Sequence, residues 1–271
     1  MKRVFITFGD SRYEKSLSRL KEQAQSMGLF DDIFIYTEKN LDKDFKRKHR
    51  QILKFGTRGF GYWIWKPNII KQALRTMQEG EQLLYADAGC HLNSEGKKRL
   101  LEYFDIVEQS ELKIGAFQLE DVHNEYCWSK KDLIVHLGVQ DNDDILNSGQ
   151  ICATQVLLQK CEQSTAFVDE WLNIMENYHF SDDSRSISPE HPSFKGHRHD
   201  QSVFSLLCKL NNAVRFRGSE VYPQNNDSWD ELKEFPIHDK RDRAFSTTGK
   251  IKDKLIRLKK KLSTYFNAEL K

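Results

Sequence analysis

Apolar positions change period several times along this chain, and the changes mark out its elements. Val4-Phe5-Ile6-Thr7-Phe8 is a compact β-branched and aromatic run that predicts a first strand. Gly9-Asp10-Ser11 then turns the chain, Leu17, Leu20, Ala24 and Met27 fall on one helical stripe over 13–27, and Gly28 stops it. Ile33 to Thr37 reads as a second strand. Pro67 suits the first turn of a helix, where its missing N–H would have no intrahelical partner. Ile69, Ile70, Ala73, Leu74 and Met77 continue that helix until Glu79-Gly80 breaks the pattern. Leu83-Leu84-Tyr85 is too short for a helix and predicts a buried strand ending abruptly at Asp87-Ala88-Gly89. Strand, helix and strand at this spacing predict an open α/β sheet with parallel neighbours.

The same reading gives helices over 94–107, 128–137 and 161–178, and a strand over 112–119. Asn147-Ser148-Gly149 sets a polar kink directly before an apolar strand, and glycine there lets another backbone or a ligand approach closely. Residues 181–196 carry the Ser, Asp, Pro and Gly of a loop long enough to be a lid or binding loop. His197-Arg198-His199-Asp200-Gln201-Ser202 then opens a helix running to Leu210, and 214–216 with 221–222 form a last strand region. Residues 38–58 are polar and basic, either a solvated helix face or a cationic wall. Over 250–271, Ile251, Leu255, Leu258, Leu262 and Phe266 share a helical face surrounded by Lys252, Lys254, Arg257, Lys259, Lys260 and Lys261. Such a basic amphipathic helix is either a membrane-surface element or a solvated terminal helix.

The 271 residues are 38% hydrophobic and 11% aromatic, enough for one large core, and a net charge of +2 leaves no nucleic-acid footprint. Five scattered cysteines without CxxC spacing argue against a zinc site or disulfide framework and for a reducing compartment. No signal peptide and no apolar run of membrane-spanning length is visible. Together these predict a cytoplasmic protein, held at the inner face of the membrane if the basic tail binds there.

Candidate chemistry gathers at strand ends, where ligands of open α/β sheets bind. Asp87 with two small neighbours either holds a metal or diphosphate or merely caps the next turn. The stretch Phe55 to Gly61 has the glycines of a phosphate loop but lacks its Gly-Lys-Ser/Thr ending. The cluster at 197–202 suits an anion or sugar hydroxyls, or else Asp200 simply caps its helix. Tyr62, Trp63 and Trp65 either offer flat faces to a sugar ring or pack in the core.

Four segments, VFITFGDSRY, WKPNIIKQALRTMQEGEQLLYADAG, LNSGQICATQVLLQKCEQSTAFVDEW and HRHDQSVFSLL, in this order resemble the GT-A class of nucleotide-sugar glycosyltransferases. The likeness is to enzymes of polysaccharide and lipooligosaccharide assembly and to the GT8, GT32 and GT34 families. It implies a mostly parallel open mixed sheet flanked by helices, a single Rossmann-like catalytic domain over 1–245, and a basic C-terminal helix over 246–271. It further implies a hexosyltransferase moving sugar from a nucleoside-diphosphate donor, UDP-sugar first, to a saccharide or lipid-linked acceptor, with retention of configuration. Carried over by position, Asp87 matches the first acid of the metal-binding DXD motif, with Mn²⁺ or Mg²⁺ as the ion. Thr7 and Tyr13 lie where base and ribose would sit, and Asn147, Ser148 and Gly149 match the strand lining the donor sugar. Asp200 and Gln201 match the pair below the reacting carbon. The second DXD acid is Gly89 here; His238 is the candidate replacement ligand and His91 a lesser one. Alternatively Lys66, Arg58, Arg241 or Arg243 carries the diphosphate with little metal. For inversion, Glu120, Asp121 or Asp200 would have to act as base. A sugar nucleotidyltransferase, a non-catalytic carbohydrate- or nucleotide-binding module and a membrane adaptor are the competing readings.

Overall fold

The computed structural model describes residues 1–224, 228–242 and Ile251. Strands β1 (Arg3–Phe8), β2 (Asp32–Tyr36), β3 (Gln82–Ala86), β4 (His91–Leu92), β5 (Ile114–Gln118), β6 (Ile151–Gln159), β7 (Val214–Arg217) and β8 (Ile237–His238) alternate with helices. The helices are α1 (Glu14–Met27), α2 (Lys43–Lys48), a turn α3 (Gly59–Tyr62), α4 (Trp65–Leu74), α5 (Lys97–Gln109), α6 (Glu125–Trp128), α7 (Lys131–His136), α8 (Asp143–Asn147), α9 (Glu162–Glu176) and α10 (Asp200–Leu210). Six strands form one sheet in the order β2-β1-β3-β6-β5-β7. All run in one direction except β6, which pairs antiparallel with β3 and β5. The parallel neighbours β1, β2 and β3 are those that the opening strand–helix–strand pattern predicts, and the mostly parallel mixed sheet is the one the resemblance implies.

Side chains alternate between two cores because successive strand residues point to opposite faces. Phe5, Leu84 and Leu157 pack on one face with Leu20, Ala24 and Met27 of α1 and Leu100, Phe104 and Val107 of α5. Val4, Ile6, Leu83, Tyr85, Val156 and Leu158 pack on the other, against α4, α9 and α10. Both faces are covered, so β3 is buried at every residue and is apolar without a break after Gln82.

Boundaries shift where tertiary contacts decide them. The helix expected over 128–137 is α7 alone, with Trp128 closing α6. Val221-Tyr222 follows a 3₁₀ turn instead of forming a strand. Of the basic stretch 38–58 only α2 is helical, and Asp42 caps it through the N–H groups of Asp44 and Phe45. The basic helix expected over 246–271 lies outside the described residues apart from Ile251.

Candidate active site

Two strand ends form the floor of the site. From β1 the chain turns one way to β2, whereas from β3 it proceeds to the opposite side of the sheet, so the two carboxyl ends diverge and leave a crevice. Gly9 and Asp10 after β1, and Asp87, Ala88 and Gly89 after β3, line a cavity of about 350 Å³ there, closed by Tyr13, Arg58 and Trp63. A larger cleft of about 1690 Å³ shares Arg58, Trp63 and Asp87 and runs on past Cys152–Thr154, Gln118 and Arg217, walled by residues 182–201.

Lys66 joins the elements at this point. It sits in the first turn of α4, almost wholly buried. Its Nζ donates to the Ala153 carbonyl of β6 at 2.9 Å and ion-pairs with Asp200 at 2.6 Å and Asp87 at 3.2 Å. Tyr85 donates its hydroxyl to the same Asp87 oxygen. Burial pushes the Asp200 carboxyl up to about 6, against the pull of Lys66. Burial also opposes the ammonium, but Asp200 and Asp87 together hold the Lys66 pKa above the ordinary lysine value. The pair is therefore ionised at neutral pH.

Gln201 follows at the start of α10 and donates to the Gln150 side-chain oxygen at 2.9 Å. Gln150 is fully buried, and its amide nitrogen lies within hydrogen-bond distance of Glu125, Ser129 and Ser202. Beneath it, Glu125 pairs with Lys209 at 2.8 Å, both without exposed side-chain surface. This buried polar network is satisfied at each of these groups and fixes where Gln201 stands.

The cleft wall is tied down from inside. Lys130, also buried, reaches the His179 carbonyl at 2.6 Å and Asp182 and Ser184 at 3.2 Å. His197 accepts from the Lys130 N–H and donates to the Phe180 carbonyl, and burial pushes its pKa down to about 3. Trp63 stacks on His199 with centroids 5.3 Å apart. Five successive residues, Gly59, Phe60, Gly61, Tyr62 and Trp63, have positive φ, so this turn is left-handed. Non-glycine residues there cost about 1–2 kcal/mol each, strain of the kind that gathers at ligand sites.

Several expected residues stand elsewhere. Thr7 is wholly enclosed and lines neither cavity, whereas Tyr13 lines the smaller one. Asn147 is exposed at the end of α8 and Ser148 bonds back to the Ile145 carbonyl; neither lines the cleft. Gly149 is a backbone contact: a Cβ there would lie 2.0 Å from the Leu119 carbonyl oxygen. The chain reaches the cleft a few residues later, at Cys152, Ala153 and Thr154.

His238 is buried and donates to the Leu232 carbonyl at 2.8 Å, so it is not brought to Asp87. His91 pairs with Asp242 at 3.0 Å. Among the described residues, no group of three or more His, Cys, Asp or Glu side chains is placed to hold a metal ion. The donor set expected around Asp87 therefore does not fit Mn²⁺ or Mg²⁺. Trp65 packs on Phe8, at 3.9 Å between centroids, and borders the smaller cavity, while Trp63 lines both. Arg58 stands at both cavities, paired with Asp183 at 3.0 Å, and Arg241 lines the larger; Arg243 lies outside the described residues.

Sequence reasoning passes over Lys130, Gln150, Arg215 and Arg217. Nothing local marks a lysine or glutamine whose partners lie 50 residues away. The alternation of Arg215 and Arg217 with core-facing Phe216 in β7 is the one available signal for a cationic strip at the cleft.

No protein-family description matches the sequence, and no curated protein matches it either. Among solved structures, the chain is similar to the bifunctional glycosyltransferase WbbM at TM-score 0.50 and 8% identity, covering 88% of this chain and 45% of that one. It thus spans under half of WbbM. A glycosyltransferase involved in glycosylating the major capsid of PBCV-1 aligns at TM-score 0.46 and 10% identity, over 88% of this chain and 94% of that one. Mouse xyloside xylosyltransferase 1 aligns at 0.46 and 8%, over 88% and 96%. At such identities the likeness speaks for the fold. The chain resembles the GT-A-like glycosyltransferases, and its mixed sheet is theirs in arrangement.

Proposed function

We propose that the protein is a glycosyltransferase that takes a nucleoside-diphosphate sugar, UDP-sugar first, in the crevice between β1 and β3. The observation that carries this reading is the meeting of Asp87, Lys66 and Asp200 at the carboxyl ends of the parallel strands, beside a cleft large enough for donor and acceptor. Nucleoside and diphosphate belong in the smaller cavity along Tyr13, Arg58 and Gly89, and the sugar beside Lys66, Asp200 and Gln201. The acceptor, a saccharide or lipid-linked saccharide, enters from the side of Arg198 and Arg217.

In the reaction, the bond from the anomeric carbon to the β-phosphate oxygen breaks with its electron pair staying on that oxygen. The acceptor hydroxyl oxygen bonds to the same carbon, and its proton passes to the departing diphosphate. Charge develops on the leaving group, so fixed cations beside it lower the barrier. Asp200 is held by Lys66 and is not free to take the acceptor proton, which favours retention. Gln201, fixed by Gln150, supports the ring carbon from below. Peripheral attachment to an anionic membrane belongs to the tail 250–271, where the six basic residues from Lys252 to Lys261 would each contribute about 1 kcal/mol. No helix among the described residues is long and apolar enough to cross a membrane.

A turnover screen with UDP-, GDP-, dTDP- and CMP-sugars, reading nucleotide release with and without added saccharides, tests the reading. One nucleotide family should be turned over, and Asp200→Asn should slow it at least about a hundredfold. Binding without turnover would instead indicate a non-catalytic sugar-nucleotide module.

A further inference from the structure

We infer that this site meets the donor diphosphate with its own Arg58 and Arg241, in place of a divalent cation. The inference rests on the donor reading above and specifies its electrostatics. The first observation is at Gly89, where the resemblance calls for a second acid. A Cβ on Gly89 would lie 3.2 Å from the Arg241 Cα and 3.4 Å from its carbonyl carbon, closer than side chains ordinarily pack on backbone. The Gly89 carbonyl also accepts the Asp242 N–H at 3.0 Å, so the segment carrying Arg241 is fastened onto this glycine. The position that would hold a metal-binding carboxylate is thus filled by backbone that presents a guanidinium. The Arg241 side chain is 77% exposed and lines the cleft, with its Nε 3.8 Å from the Asp239 carboxylate.

The second observation is at Asp87, the acid that remains. Its Oδ1 is already shared by the Tyr85 hydroxyl and the Lys66 ammonium, and Lys66 also holds Asp200. The Lys66 ammonium stands between the two carboxylates and occupies one oxygen of each, the place a metal ion would take. His238 and His91, the imidazoles proposed to complete a metal shell, are bonded to Leu232 and Asp242 instead. Arg58 lines both cavities that share Asp87 and Arg241 lines the larger, so two guanidiniums flank the place where a diphosphate would lie. Arginine adds two parallel donors suited to phosphate oxygens.

Isothermal titration of the full-length protein with UDP, GDP and dTDP, each in excess EDTA and again with Mn²⁺, tests the inference. One diphosphate should bind within about twofold in the two conditions, and Arg241→Gln should weaken it by about tenfold in EDTA. Arg241 is exposed, so this variant should keep the wild-type melting temperature; Arg58→Gln, also at an exposed side chain, serves as a second folded variant that should likewise weaken binding in EDTA. A gain of about tenfold or more on adding Mn²⁺, or unchanged affinity in Arg241→Gln, overturns the inference while leaving the donor site standing. Absence of binding by every diphosphate in both conditions overturns the donor reading itself, and this inference with it.

Discussion

Lys66→Met isolates the interaction that knits α4, β3, β6 and α10 together. Methionine keeps most of the apolar stem volume, so the loss is electrostatic with little cavity term. Lys66 is 2% exposed and Asp200 5%, and removing the ammonium leaves Asp200 nearly enclosed beside Asp87 with no counter-charge. Breaking a buried pair from one side costs about 3–5 kcal/mol, a large part of the roughly 5–15 kcal/mol that holds a typical domain folded. For a protein of this size that lowers the melting temperature by about 10 °C. The double variant Lys66→Met with Asp200→Asn removes the stranded charge and should recover more than half of the loss. Acid should also narrow the gap: a buried carboxyl whose folded pKa is raised penalises the folded state above that pKa, and the penalty fades as the group takes up a proton. Urea unfolding followed by tryptophan fluorescence is suited to this, since Trp65 and Trp171 are buried. A single variant within about 1 kcal/mol of wild type, or a double variant less stable than the single, would refute the reasoning.

Three other expectations follow from separate parts of the molecule. His197, with a pKa pushed down by burial from 6.5 to about 3, refuses in the folded state a proton that the unfolded chain accepts between those values. Its share of stability is therefore intact above the unfolded value and falls by about 1.4 kcal/mol per pH unit below it; urea midpoints over that range should show the slope, and His197→Gln should flatten it. Gly149→Ala would drive a Cβ to 2.0 Å from the Leu119 oxygen and 2.6 Å from that of Glu120, both backbone. A loss of at least about 3 kcal/mol in thermal or urea melts is expected, and a near-neutral result would mean that the end of β5 can move aside. Deleting 250–271 should abolish co-sedimentation with phosphatidylserine vesicles and leave turnover on a soluble acceptor intact; unchanged sedimentation would remove the tail from membrane binding.

Periodicity exposed the scaffold well where one element packs one face. The stripes of α1 and α10 and the apolar runs of β1 and β3 are each decided by local burial, and their spans in the sequence and in the fold agree to within a few residues. The short helices α6, α7 and α8 are not legible in this way, because one or two turns carry too few apolar positions to show a period. Asp87, Lys66 and Asp200 stand out in the sequence as polar residues at element ends, but their convergence spans more than a hundred residues and depends on α10 packing beside β6. The resemblance matches Asn147 to the strand that follows it, whereas in the fold it is the last residue of the short α8, which the Asn142 side chain caps at the Ile145 N–H. His238 looked available for a metal, and only the register of β8 on β4 and the nearby Leu232 carbonyl take it away.

A crystal structure of the protein soaked with UDP in EDTA tests the central claim most directly. The account expects the diphosphate in the crevice between residues 9–10 and 87–89, with its oxygens within hydrogen-bond distance of Arg58 and Arg241. Nucleotide density at any other place on the molecule, or an empty crevice at saturating UDP, would contradict it.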